Sequence, residues 1–115
     1  MGIEDLSARL RAFAEERDWE QFHSPKNLAM ALAVEAAELL EHFQWLTEEE
    51  SAQLAPAKAG QVAEEMADVF IYLLRLADRL GVDLLGAACA KMAKNAARYP
   101  VEKSRGHKKK YTEFE

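Results

Sequence analysis

The stretch from Gln61 to Leu80 limits the possible folds most, because as a helix it is apolar on too many sides to lie on a surface. At helical spacing Val62, Met66, Val69, Leu73, Leu76 and Leu80 form one stripe, and Phe70, Ile71 and Leu74 widen it well beyond an ordinary amphipathic face. A helix apolar on most sides is buried on most sides. A chain of 115 residues makes one small domain and cannot easily enclose such a helix alone. The expectation is an all-α protein, a four-helix bundle whose apolar surface is completed by a partner subunit.

The rest of the pattern agrees with an all-helical chain. No period-two alternation is sustained, and there is no Asn-Gly or Asp-Gly hairpin turn. A first helix over about residues 3–17 aligns Leu6, Leu10, Phe13 and Ala14, and an aromatic connector, Asp18 to His23, follows it. Ser24 as N-cap and Pro25 at the first helical position open the second helix, with a stripe of Leu28, Leu32, Glu35, Leu39, Phe43 and Leu46. Thr47 to Gly60 reads as a polar loop with room for a short helical turn. Gly81 suits the C-cap of the third helix. Asp83 can N-cap a fourth, through about Arg98, with Leu85, Ala88, Cys89 and Met92 inward. Tyr99-Pro100 ends it, since proline disfavours helix in the preceding residue. Residues 1–98 thus read as one helical domain and 99–115 as a basic tail carrying Lys108, Lys109 and Lys110.

Two acidic pairs interrupt the most hydrophobic helices: Glu35-Ala-Ala-Glu38 and Glu65-Met-Ala-Asp68. The i, i+3 spacing puts both carboxylates of a pair on one side of the helix. A lone pair of this kind is usually a solvated edge. Here Glu35 continues a core stripe, and Glu65 and Asp68 lie beside one with Gln61 and Tyr72. Like charges at about 4 Å repel by about 4 kcal/mol at an effective dielectric of about 20. A divalent cation is the simplest relief, and an oxygen-only ligand set favours a hard ion, Mg²⁺ or Mn²⁺. A di-iron site fits poorly, because it wants Glu-x-x-His steps. The third helix has no histidine, and His42 follows Glu38 by four residues. Glu15, Glu16, Glu48, Glu49 and Glu50 read as ordinary exposed charge.

Composition narrows the function classes. Half the residues are hydrophobic and 30% charged, which is globular, and a net charge of −5 offers no general field for nucleic acid. No apolar run approaches the roughly 20 residues that span a bilayer. The lone Cys89 suits a reducing compartment, and the N-terminus lacks the basic start and apolar core of a signal peptide. A soluble cytoplasmic protein without membrane or nucleic-acid partners is expected. No Walker-type glycine loop, Ser/His/Asp set or Cys/His zinc spacing is present, and His23, His42 and His107 are scattered. Trp19 and Trp45 flank the second helix and could serve as packing or as a stacking surface for a nucleobase. Tyr72 lies one turn beyond Asp68. Spacing alone leaves those readings open. The late residues Lys91, Asn95, Arg98, Lys103 and Arg105 add cationic and polar groups of the kind a polyphosphate needs beside a metal.

At these residues the chain resembles the MazG-like all-α nucleotide pyrophosphohydrolases, and among them the dCTP pyrophosphatase group. Glu35, Glu38, Glu65 and Asp68 fill the superfamily's Glu-x-x-Glu and Glu-x-x-Asp pattern. The stretches Glu16 to His23, Phe43-Gln44-Trp45, Glu64 to Leu73, Lys91-Met92 with Asn95, Arg98 to Val101, Ser104-Arg105-Gly106 and Lys110-Tyr111-Thr112 extend the likeness along the chain. The resemblance implies Mg²⁺-dependent hydrolysis of a nucleoside triphosphate between its α and β phosphates, by a homodimer or homotetramer. It implies Glu35, Glu38, Glu65 and Asp68 as metal ligands, and Trp19, Glu20, Gln21, Phe22, His23, Trp45, Tyr72 and Asn95 as substrate contacts. Glu38 and Glu65 are the candidates for the catalytic base. In the dCTP group a first-helix histidine contacts substrate, and Leu10 takes its place here.

The expected activity is therefore cleavage of dCTP or a base-modified dCTP to the monophosphate and pyrophosphate, a pool-cleaning reaction. The basic tail is expected to close over substrate. Rival readings are the same chemistry on dUTP or a broad set of triphosphates, and a non-catalytic helical oligomer or partner-binding module.

Overall fold

Caps and prolines set most of the helix boundaries in the computed structural model, which describes residues 1–114. Helix α1 spans Ile3–Glu16, and a short 3₁₀ turn, Glu20–Phe22, leads to α2, Pro25–Glu41. Ser24 Oγ accepts the Asn27 N–H at 3.1 Å, so the cap expected for α2 forms. After α2 come the short α3, Glu48–Ala52, and the long α4, Pro56–Leu80. Thr47 Oγ1 accepts the Glu50 N–H at 3.1 Å, and Glu50 Oε1 accepts the Thr47 N–H at 2.9 Å, a reciprocal capping box for α3.

The expected loop over residues 47–60 is thus largely helical. Pro56 takes the first position of α4, where its missing N–H costs nothing, and Gly60 lies inside the helix rather than before it. Gly81 ends α4 in the left-handed conformation, φ 66°, as its lack of Cβ allows. No strand occurs among the described residues.

Two compact units make up the chain, Met1–Gly81 and the part from Val82 onward. In the first, α4 packs against α1 and α2. Ala14, Leu28, Val62, Leu74 and Ala77 form its buried apolar centre. Part of the hydrophobic surface stays open in the single chain: Met30, Val34 and Leu40 on α2 and Met66 and Phe70 on α4 are exposed.

The second unit contains α5, Leu84–Arg98, the single turn α6, Val101–Ser104, and a 3₁₀ turn, Tyr111–Glu113. Asp83 Oδ1 accepts the Gly86 N–H at 3.1 Å and caps α5. The stripe expected to point inward does not: Leu85, Cys89 and Met92 are exposed, because no other element of this unit covers them. The tail, in turn, is more than a solvated charge run. The Tyr99 ring meets those of Tyr111 and Phe114 edge-on at 5.9 and 5.6 Å, and Arg98 lies over Tyr111 at 4.8 Å.

Candidate active site

Packing of α2 on α4 brings three of the four paired carboxylates into one cluster. One oxygen from each of Glu35, Glu38 and Glu65 lies within 4.8 Å of the others. Asp68 stands outside this set on the exposed side of α4, although its charge still acts on Glu35. Glu35 Oε2 and Glu65 Oε2 are buried without a hydrogen-bond partner. Burial, followed by the neighbouring Glu38, Glu65 and Asp68, pushes the Glu35 carboxyl from 4.5 up to about 7. Buried acceptors without donors, in an all-oxygen set, fit a hard divalent cation.

Beside the cluster lies a cavity of about 260 Å³; Asp68 lines it, and its charge also reaches Glu35. Leu10, Phe13 and Ala14 of α1 line one side, Trp19 and His23 of the connector another, and Ile71, Tyr72 and Arg75 of α4 join Asp68 on the third. The backbone at the end of α1 places Trp19 there. Asp18 adopts a left-handed φ of 54°. The Asp18 N–H then donates to Glu15 O at 3.1 Å and the Trp19 N–H to Ala14 O at 2.9 Å, a Schellman closure of the helix. Trp19 stands edge-on to Phe13, centroids 5.7 Å apart, with the His23 ring 6.3 Å away. His23 Nδ1 is buried and unpartnered, and burial, helped by the Arg75 charge, lowers its pKa below 6.5. The imidazole is therefore mainly neutral at pH 7, an acceptor as well as a donor.

Arg75, 2% exposed, is the cavity residue that periodicity alone did not single out. Its signal was available: it is the only charged side chain in the run Val69 to Ala77. Its guanidinium donates to Glu20 Oε1 and, at 3.0 Å, to Asp78 Oδ2. Arg79 donates to Glu20 Oε2 at 2.9 Å, and Arg11 holds Asp78 at 2.6 and 3.0 Å. The Arg11 bond keeps the Asp78 carboxyl below its ordinary 3.8.

Of the substrate contacts expected from the sequence, Trp19, His23 and Tyr72 meet at the cavity. Glu20 spends both oxygens on arginines. Gln21 donates back to Asp18 at 3.0 Å, and Phe22 is exposed away from the cavity lining. Trp45, 87% exposed, follows the end of α2, and Asn95 is exposed on α5 in the second unit. A wider hollow of about 630 Å³ near Leu46, Glu50, Leu54 and Lys58 has no unpartnered buried polar atom among its lining residues.

Known proteins resemble this chain over most of its length. dCTP pyrophosphatase 1 of Bos taurus is 48% identical over 114 residues, covering 97% of this chain and 68% of that protein. The human dCTP pyrophosphatase 1 is 46% identical, with 97% and 67% covered. A pyrophosphatase crystal structure from Archaeoglobus fulgidus superposes with a TM-score of 0.80 at 44% identity, over 84% of this chain and 91% of that one. The family model described as MazG-like matches residues 30–114, a span that holds all four acidic residues of the cluster and its rim. The chain belongs to the MazG-like family.

Proposed function

We propose that this chain is a divalent-cation-dependent nucleoside triphosphate pyrophosphohydrolase that cleaves dCTP, or a base-modified dCTP, to the monophosphate and pyrophosphate. One observation carries the reading: three converging carboxylates with unpartnered buried oxygens adjoin an aromatic cavity through Asp68. The relatives of 46–48% identity named for dCTP supply the substrate.

Glu35, Glu38 and Glu65 would hold the ion, with Asp68 at the rim, and Mg²⁺ suits the donor set, with Mn²⁺ as a substitute. A bound cation supplies charge neutralisation on the phosphate oxygens. The side chains do the rest. Glu38 or Glu65 orients a water and accepts its proton as the oxygen attacks the α phosphorus, while the bond to the β-phosphate oxygen breaks and pyrophosphate leaves. No side-chain nucleophile is needed. Trp19 and Tyr72 offer faces for the base, and neutral His23 offers a polar edge. Gln21, Phe22, Trp45 and Asn95 rest on the resemblance alone. Leu10 presents only apolar surface to the cavity, so α1 contributes no polar contact from that position.

The exposed apolar faces of α2 and α4 support a homodimer or homotetramer, checked by light scattering. The single exposed Cys89 supports a cytoplasmic location. Basic groups after Arg98 are assigned to the phosphate charge, and cleavage beyond Val101 should raise KM.

Pyrophosphate release from a panel of deoxynucleoside triphosphates, with Mg²⁺ and with chelator, tests the proposal. Mg²⁺-dependent release strongest for dCTP or a 5-substituted dCTP is expected. Release spread across bases would keep the chemistry and discard the cytosine preference. No release from any substrate would return the chain to the reading of a binding module.

A further inference from the structure

Glu20 shares a stretch with the cavity aromatics, yet its carboxylate is already fully engaged. Oε1 accepts from Arg75 and Oε2 from Arg79. An oxygen pair held by two guanidiniums has little capacity left for a ligand, and a free carboxylate there would repel a polyphosphate. The arginines are themselves anchored on α4, Arg75 also to Asp78, which Arg11 of α1 grips at 2.6 Å. Five side chains from α1, the connector and α4 thus form one ion-pair chain, Arg11–Asp78–Arg75–Glu20–Arg79. The connector residues on either side of Glu20, Trp19 and His23, are the ones that reach the cavity.

We infer that Glu20, Arg75 and Arg79 are positioning residues: they clamp the connector to α4 so that Trp19 and His23 form a fixed wall of the nucleobase cavity. This rests on the cavity being the base subsite proposed above. The role differs from substrate contact in a way kinetics can read. A clamp acts through Trp19 and His23, so it changes binding of the base and leaves the carboxylate cluster, and with it the chemical step, in place. It also makes Arg79, which is absent from the cavity lining, matter to substrate affinity.

Arg75 is too deeply buried for a clean test, since its truncation would remove the donor to Glu20 Oε1 and open a gap in the interior at the same time. Glu20→Gln and Arg79→Gln avoid this, because Arg79 and Glu20 reach solvent. Each variant should raise KM for dCTP about three- to tenfold, with kcat within about twofold. The double variant should be no worse than the more severe single one, since both break the same link. In a Trp45→Phe background, the emission of Trp19 should shift in both variants without substrate. Multiplying KM effects would overturn the inference, because they would mean that Glu20 or Arg79 meets substrate on its own. Unchanged Trp19 emission would overturn it as well. Failure of the subsite reading looks different: Trp19 emission would shift while KM stayed level, and Trp19→Ala would leave KM unmoved too.

Discussion

Glu35 is the residue at which cation binding and folding stability should trade against each other most visibly. Without a cation, its carboxyl is pushed from 4.5 to about 7 by burial and by Glu38, Glu65 and Asp68. Between those two pH values the folded chain holds a proton that the unfolded chain has released. Stability must therefore fall as pH rises through this window and level off above it. The full rise corresponds to roughly 3 kcal/mol, and solvent access to the half-buried cluster and sharing of the proton reduce it to roughly 1–3 kcal/mol. Gln at this position mimics the protonated acid and carries no such cost. In chelator, Glu35→Gln should match the wild type near pH 5 and exceed it by roughly 1–3 kcal/mol at pH 8. His23, whose lowered pKa makes stability rise with pH below its ordinary value, contributes equally to both proteins and cancels in the difference.

Added Mg²⁺ should shrink or reverse the variant's advantage. At about 100 times its dissociation constant, an ion that binds only the folded state adds about 2.7 kcal/mol. The wild type gains this at pH 8, whereas the variant, short of one ligand, gains much less. Urea unfolding followed by circular dichroism, at one protein concentration and at pH 5, 6, 7 and 8, measures all four combinations. A wild-type-minus-variant difference that does not change with pH in chelator would refute the account of Glu35. Equal stabilisation of both proteins by Mg²⁺ would refute its role as a ligand.

Gly60→Ala should stabilise the chain by about 0.5–1 kcal/mol in the same unfolding assay, because Gly60 lies inside α4 and an alanine Cβ there would meet nothing within 4 Å. Asp18→Gly should be neutral to stabilising by about 0.5 kcal/mol, since it relieves the left-handed φ of 54°, while Asp18→Val should cost about 1–2 kcal/mol and raise KM by displacing Trp19. Asp78→Asn should cost about 2 kcal/mol at pH 7 by weakening the bonds to Arg11 and Arg75. The Asp78 carboxyl is held below 3.8, so its contribution is present at neutral pH and lost as pH falls below that value; the variant should then show a smaller acid-induced loss of stability than the wild type.

The features legible in the sequence were those decided within a few residues. Ser24 with Pro25, Gly81, Asp83 and Pro100 each act on their own helix end, and each boundary lies where its cap chemistry puts it. The acidic pairs were legible for the same reason, since i, i+3 spacing fixes a face without knowledge of the partner helix. The start of α4 was harder to read, because Pro56 and Gly60 signal a turn as readily as a first helical turn. The Ala59 N–H donates to Ala55 O at 2.8 Å, so the first turn closes at Pro56 rather than at Gln61. The Arg75 chain was illegible in a stronger sense. Its partner Glu20 is 55 positions away, and no local pattern distinguishes a glutamate that will meet two guanidiniums from one left in water. The aromatic packing of Tyr99, Tyr111 and Phe114 was likewise hidden under the surrounding lysines.

Helix α4 explains why so few residues suffice to build this site. Glu65, Asp68, Tyr72, Arg75 and Arg79 follow one another in steps of three and four, and so occupy a single face. Each does a different thing along that face: Glu65 joins the carboxylate cluster, Asp68 bridges it to the cavity, Tyr72 and Arg75 line the cavity, and Arg79 ties down the connector. At about 1.5 Å per residue, Glu65 and Arg75 are about 15 Å apart along the axis, a length suited to a phosphate chain at one end and a base at the other. The spacing between the chemical step and base recognition is then set by the backbone geometry of one rigid helix. That helix cannot be solvated around its whole circumference, because its other faces carry Val62, Leu74 and Ala77 into the interior. The same apolar excess that dictates an all-helical fold therefore holds the reactive face in register.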